Sequence, residues 1–331
     1  MKALLSHEPG GPETLRVVEL PDPLPSAGEL LVRVRACAIN FPDVLIIEDK
    51  YQLKPQRPFA PGGEIAGEVI GIGEGVSGWS VGDRLIGVLG FGGLAEQVVL
   101  PVARAIPLPA ERSFVDGSAL LMTYATAIHA LVDRGRLTEG QTLLVLGAAG
   151  GVGAAAVEIG KALGARVVAA VSSAGKAESA GKVGADLAII YPTGPFDSDG
   201  KKALAYRFKD ALGPDGADVI FDPVGGDYSE AALRSIAWGG RFLVVGFPAG
   251  IARLPLNLTL LKSCDVCGVF WGGFLARDPK RNAAHIAQLF RWWDEGKIAP
   301  RVSATYPLGQ APDAIAALRD RHAVGKLVVT L

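Results

Sequence analysis

The stretch TLLVLGAAGGVGAAAVEIG, residues 142–160, constrains the fold most. It sets an apolar run, a glycine-rich turn and a helix-forming segment in immediate succession. Gly147, Gly150 and Gly153 are spaced G-x-x-G-x-x-G, a departure from the commoner G-x-G-x-x-G. Strand, glycine turn and helix in that order make the start of a dinucleotide-binding βαβ unit. Backbone N–H groups at the helix N-terminus hold a pyrophosphate there. Ala149, Gly150, Gly151, Val152 and Gly153 are thus expected to line a cofactor turn. The stretch is apolar enough to suggest a membrane span. Its glycines and Glu158 interrupt the roughly 20 apolar residues that a span needs.

The surrounding pattern extends this unit. From about residue 123, strand-like runs alternate with helix-length segments: TLLVLG, ARVVAAV, LAIIY, DVIFDPV, RFLVVGF and DVCGVFW. Helices are expected over 151–163, 175–184, 201–212 and 228–238. Such alternation indicates an α/β unit with a doubly wound, parallel, six-stranded sheet. Its strands are apolar without strict alternation, so both faces should be covered. Before residue 123 the chain reads as short strands joined by Gly/Pro turns, a compact and mostly β domain. Helices are expected over 279–294 and 312–320, and KLVVTL reads as a closing strand that returns to the first domain. The expected division is 1–122 with 265–331 for one domain and 123–264 for the inserted one.

Lys plus Arg number 33 against 34 Asp plus Glu, which gives no electrostatic case for nucleic acid or an anionic membrane. The opening MKALLSHEPGG has too short an apolar run for a signal peptide. With 3 cysteines, a reducing, cytoplasmic compartment is expected. Cys264 and Cys267 form one C-x-x-C with no second pair to complete a zinc site, and read as two side chains of a strand. The four histidines, His7, His129, His285 and His322, read as surface or helix residues.

NAD sites place an acid at the end of the second strand, on the ribose 2′-OH. Here that strand ends in Ser172, Ser173, Ala174, Gly175 and Lys176, with no acid before Glu178. Two hydroxyls and an ammonium suit a 2′-phosphate, so the expected cofactor is NADPH. Tyr191, at the end of the third strand, is expected to cover the adenine side. Open α/β sheets bind ligands at the carboxyl ends of their strands. That adds Asp222, Val224 and Gly225, then Gly246 and Phe247, then Val269, Phe270 and Trp271.

Taken together, RACAINFPDVLI, APGGEIAGEV, VGDRLIG, GLAEQVVLP, MTYATA, LGAAGGVG, FDPVGG and GGRFLVVG resemble the medium-chain dehydrogenase/reductase superfamily. The similarity is to its zinc-free, zeta-crystallin-like quinone oxidoreductase branch and runs the length of the chain. It implies a GroES-like catalytic domain, an inserted Rossmann domain and a homodimer. An apolar last strand, left as a bare edge, favours the same pairing. Carried over by position, cofactor contacts fall on Asn40, Thr126, Gly150, Gly151, Val152, Ser172, Lys176, Tyr191, Gly246, Phe247, Phe270 and Arg321.

The same resemblance sets an expectation about metal. Zinc relatives carry a ligand Cys where this chain has Asn40, and a ligand His where it has Gly63. The four-Cys structural lobe is missing as well. No metal is therefore expected. Reducing an isolated ketone builds an alkoxide that calls for a Lewis acid or a strong general acid. A quinone or enone spreads the charge to a conjugated oxygen, where hydrogen-bond donors suffice. The expected catalytic donors are Asn40, Tyr51 and Thr126, with Asp43 orienting and Glu64 a buried carboxylate. The leading expectation is an NADPH-dependent quinone reductase. The alternatives are a reductase of α,β-unsaturated carbonyls, such as enoyl- or acryloyl-CoA thioesters, and a crystallin-like protein that binds NADPH without turnover. A CoA site would want a basic cluster, for which Lys50, Lys54 and Arg57, or Arg277, Lys280 and Arg281, are candidates.

Overall fold

A computed structural model describes all residues, 1–331. The chain folds into two compact units, Met1–Met122 with Pro300–Leu331, and Thr123–Ala299. Residues 265–299 therefore fall in the second unit, where the sequence had suggested the first. Asp265–Gly268 joins Ile236–Val244 in parallel as the sixth strand, with Val244 opposite Gly268, and the helices after it stay with this unit through His285 on Asp133 and Ala299 N on Glu158.

The first unit is built on a seven-stranded sheet whose long central strand is Glu29–Ile39. That strand pairs antiparallel with Glu64–Ile72, Gln97–Pro101 and the closing strand Lys326–Thr330. Leu30, Val32, Val34, Ile65, Leu85, Leu100 and Val329 fill its core. A short helix the sequence had not suggested, Phe41–Ile47, follows the central strand directly. Its start carries ordinary helix signals: Asn40 at the N-cap, Pro42 in the first turn, and Asp43 at N3 accepting from the Asn40 backbone N–H at 2.7 Å to make a capping box.

In the second unit six parallel strands run in the spatial order Leu187–Ile190, Arg166–Val171, Thr142–Leu146, Ala217–Asp222, Ile236–Val244, Asp265–Gly268. This is the doubly wound order 3-2-1-4-5-6. The last strand is shorter than expected: Trp271 already opens a helix, Trp271–Arg277. Glu158, the one charge in the apolar glycine stretch, is 5% exposed. It accepts from Tyr124 Oη at 2.6 Å and Ala299 N at 3.1 Å, which fastens both ends of this unit to the helix Gly151–Ala162. The run Phe114–Arg134 has the length and hydropathy to cross a membrane, but most of it is buried, as in a core helix. It includes π-helical turns at Leu121–Ala125 and His129–Arg134, a form often found near functional sites.

Candidate functional site

In the second unit, strand register gathers the expected cofactor residues at one edge. Val145 lies opposite Phe221, Asp222 opposite Val244, and Val244 opposite Gly268. Val171 lies opposite Ile190. The segments that begin at Gly147, Ser172, Tyr191, Asp222, Gly246 and Val269 therefore all leave the same carboxyl end of the sheet.

The three glycines of the turn have three different jobs. Gly147 has φ +58°, which a side chain rarely adopts. Gly150 caps the 12-residue helix Gly151–Ala162, and no side chain hydrogen-bonds into that N-terminus. A Cβ on Gly150 would meet only Gly147 O, at 3.4 Å. A Cβ on Gly153 would fall 2.2 Å from Gly147 O, so the helix must pack on the turn there without one. The result is an uncapped helix N-terminus beside a glycine-lined approach, with the donors and the space a pyrophosphate needs.

At the end of the second strand, Lys176 Nζ donates to Ser172 Oγ at 3.3 Å. Ser173 caps the next helix by accepting from Lys176 N at 3.3 Å. Ser172 and Lys176 are therefore together, as a 2′-phosphate site requires. Tyr191 is placed differently from the expectation. It is 5% exposed and packs against Tyr228, with ring centroids 5.0 Å apart, and Phe208, at 6.4 Å. Its ring is a wall of the core and not an open cover.

Asp222 also departs from a ligand role. Its carboxylate accepts from Val224 N at 2.8 Å, from Gly225 N at 2.9 Å and from Ser229 Oγ. Burial pushes its pKa up, against these three hydrogen bonds. Asp222 thus staples its own turn. Gly225, at φ +75°, lets that turn close against Phe247 and Gly250. The turn and the 246–250 loop exchange backbone bonds, Ala249 N to Val224 O and Gly226 N to Gly250 O. Phe247 and Phe270 are exposed, and Val269 is tied to Val244 O. Trp271 is buried, with its indole N–H on Asn282 Oδ1 at 2.8 Å, so it anchors the helix Pro279–Asp294 and does not present itself to a ligand. Ala149 is 5% exposed beneath the turn, and Thr126 is half-buried in the helical run after the first π turn.

The first unit holds Asn40, Tyr51 and Arg321. Arg321 lies on the loop after Ala311–Arg319, with φ +61°. Tyr51 is half-buried in the turn after Phe41–Ile47 and packs on the core. Burial, helped by Asp43, pushes its phenol pKa up, which keeps it a donor at neutral pH. Asn40 is 7% exposed and committed on every side. Its Nδ2 donates to Glu64 Oε2 at 3.0 Å and Ala38 O at 3.2 Å, and its Oδ1 accepts from Lys326 Nζ at 2.6 Å. An amide has two N–H donors, and both are used. Asn40 therefore orients neighbours rather than offering a free donor. The sequence had not brought Lys326 into this group; its only signal was a cation opening an apolar closing strand.

Asp43 is 1% exposed and accepts from Asn40 N at 2.7 Å and Gly62 N at 3.0 Å. Burial raises its pKa from the ordinary 3.8 to about 6, against those bonds and the Lys326 charge. The folded state thus binds this proton more tightly than the unfolded chain does. The stabilising effect is fully present below the unfolded pKa and is lost as pH rises through about 6. Relative to Asp43→Asn, the native protein should lose about 2 kcal/mol of stability between pH 4 and 7, from the 1.36 kcal/mol per pKa unit. Urea unfolding of both proteins across that range checks this. A difference that does not change with pH would refute the assignment.

Two of the four histidines, His129 and His285, lie on helical segments and are buried. His129 and His285 are 6% and 8% exposed, and both face Asp133, at 2.7 Å and 3.5 Å. The partner is one helical turn away from His129, an i,i+4 spacing that the sequence does carry. Arg281 joins Asp133 too, and Arg57 pairs with Asp49 and Lys50 with Glu48. Half of the six cations considered for a CoA phosphate are thus matched by acids. All three cysteines are free thiols.

The family model "Alcohol dehydrogenase GroES-like domain" matches residues 26–110, and "Zinc-binding dehydrogenase" matches residues 151–288. The second name implies a metal, but the donor set here does not suit one. No group of three His, Cys, Asp or Glu side chains converges. At the frame's ligand positions stand Gly63 and an Asn40 amide bonded to an ammonium. The quinone oxidoreductase-like protein 2 homolog of Nematostella vectensis is 36% identical over 305 residues, 91% of this chain and 81% of that one. A probable oxidoreductase from Mycobacterium abscessus is 34% identical, with TM-score 0.85 over 100% of this chain and 99% of that one. Escherichia coli quinone oxidoreductase complexed with NADPH is 29% identical, with TM-score 0.91 over 100% of both. The chain belongs to the quinone oxidoreductase-like members of the medium-chain dehydrogenase/reductase superfamily.

Proposed function

We propose that this protein is a zinc-independent, NADPH-dependent reductase that delivers hydride to quinones. The observation that carries the reading is the pairing of an open, uncapped helix N-terminus with Ser172 and Lys176 at the next strand end, where no acid stands. The N–H groups from Gly151 to Gly153 would hold the pyrophosphate, and Ser172 with Lys176 the 2′-phosphate. NADPH supplies the hydride when bound. With the Asn40 amide donors used, the candidate donors that remain are Tyr51 in the first unit and Thr126 in the second. A raised phenol pKa keeps Tyr51 protonated for that task. The names of the relatives support quinones as acceptors, and the matched cations Arg57, Lys50 and Arg281 weigh against CoA thioesters.

NADPH oxidation with 1,4-benzoquinone, 9,10-phenanthrenequinone, an enone and crotonyl-CoA tests this, with NADH and a chelator as controls. Quinone turnover that prefers NADPH and ignores chelator is expected. Lys176→Ala should raise KM for NADPH about tenfold and leave NADH unaffected, as loss of one charge-assisted contact predicts. Turnover of crotonyl-CoA alone, or binding without turnover, would overturn the quinone reading.

We also assign a homodimer and a cytoplasmic setting. The strand Asp265–Gly268 ends its sheet, and Trp238, Leu256, Leu260, Leu261 and Val266 are exposed around it. An uncovered apolar edge of this kind is a pairing surface. A monomer in sedimentation would refute the dimer, and a membrane fraction in cell lysates the setting.

A further inference from the structure

Lys326 is an unusual place for a charge. It is 4% exposed and opens the strand that pairs with Glu29–Ile39, with Leu327 opposite Ile39. Buried lysines are rare unless paired. Here the ammonium donates to Asn40 Oδ1 at 2.6 Å and to Glu64 Oε2 at 3.1 Å. Glu64 is 0% exposed, and its other oxygen accepts from Met122 N at 2.9 Å. Nearby Cys37 is buried, and burial with the charges of Asp43 and Glu64 pushes its pKa well up, so it stays a thiol.

The ammonium therefore touches the side chain at the ligand-Cys position of the zinc frame. It also touches the carboxylate that follows the ligand-His position. Loss of the two ligands alone would leave Glu64 as a buried, unbalanced charge. We propose that Lys326 is the resident cation of this frame: it balances Glu64, fixes the Asn40 amide, and keeps a divalent metal out even where the missing ligands are restored. A metal entering beside Glu64 would have to displace an ammonium from that carboxylate, or sit against a like charge in a site shielded from water. The cation's job has passed from a bound ion to the polypeptide. This inference does not depend on which acceptor the enzyme reduces.

The test restores the ligands and reads metal uptake. Asn40→Cys with Gly63→His is prepared with Lys326 retained, with Lys326→Met and with Lys326→Arg. At Gly63 a Cβ would come 3.3 Å from Gly90 O, which asks for only a small shift. Each protein is checked by circular dichroism and titrated with zinc against a chromophoric chelator. Cobalt(II) absorption then reports whether the introduced thiolate binds metal. Removing the ammonium should raise zinc affinity on the order of 10–100-fold, the usual range for changes just outside the ligands. The Lys326→Arg protein should stay as weak as the one with Lys326 retained. Equal zinc affinity with Lys326 and with Lys326→Met would overturn the proposal, as would strong binding with Lys326→Arg. If the Lys326→Met protein does not fold, Lys326→Gln removes the charge and keeps a hydrogen-bonding group, and the same comparison decides.

Discussion

Glu64→Ala should lower the unfolding free energy by about 3–5 kcal/mol, the cost of removing one partner of a buried ion pair. The change leaves the Lys326 ammonium, 4% exposed, facing only the Asn40 carbonyl oxygen. It also strips an acceptor from Asn40 Nδ2 and another from Met122 N. Each orphaned donor adds its own desolvation cost. Urea unfolding gives the number directly. The control is Glu64→Leu combined with Lys326→Met. Apolar replacement of a whole buried pair is often neutral, so the double variant should recover the share of the loss that comes from the unpaired ammonium, while the orphaned Asn40 and Met122 donors keep their cost. A loss below about 1 kcal/mol for Glu64→Ala would mean that water reaches the pair, because exposed pairs are worth no more than that.

Gly153→Val should cost NADPH affinity roughly a hundredfold or more and destabilise the second unit too. Its Cβ would sit 2.2 Å from Gly147 O and 2.9 Å from Ala148 Cα, and both are backbone atoms that cannot rotate away. The helix must back off from its turn, and the N–H groups aimed at the pyrophosphate move with it. Losing two charge-assisted bonds, at about 1.5–3 kcal/mol each, gives that loss. Gly150→Ala is the informative contrast. Gly150 has φ −79°, and its Cβ would meet only an ordinary contact at 3.4 Å. Stability should therefore hold while NADPH binding weakens, since the methyl fills the approach a phosphate uses. Fluorescence titration with NADPH and thermal unfolding separate the two effects. Wild-type affinity in Gly153→Val would show that this turn does not cradle the cofactor.

Several features of this protein were legible from residue order alone. The strand Glu29–Ile39, the helix Pro279–Asp294 and the six parallel strands follow from apolar spacing. The glycine turn follows from φ values and close contacts that only glycine allows. These signals are local: a period of two or 3.6 residues, or one strained dihedral, is written within a short window. The helix Phe41–Ile47 escaped although Asn40, Pro42 and Asp43 mark its start, because its 7 residues are too few to show a helical period. The extent of the second unit escaped because the ties that hold residues 271–299 to it are long-range: Arg281 and His285 meet Asp133, and Ala299 N meets Glu158.

The cluster of Asn40, Glu64 and Lys326 lies beyond any such window, since Lys326 and Asn40 are 286 residues apart in the chain. The sequence determined that Glu64 would start a buried strand and that Lys326 would open the last one. Only the antiparallel register of three strands decided that the carboxylate, the amide and the ammonium would meet. The same register decided that Asn40 would orient its neighbours, because its hydrogen bonds are used up inside the fold. A charge buried on its own is too costly to persist, so its partner is set by what the folded sheet brings within reach.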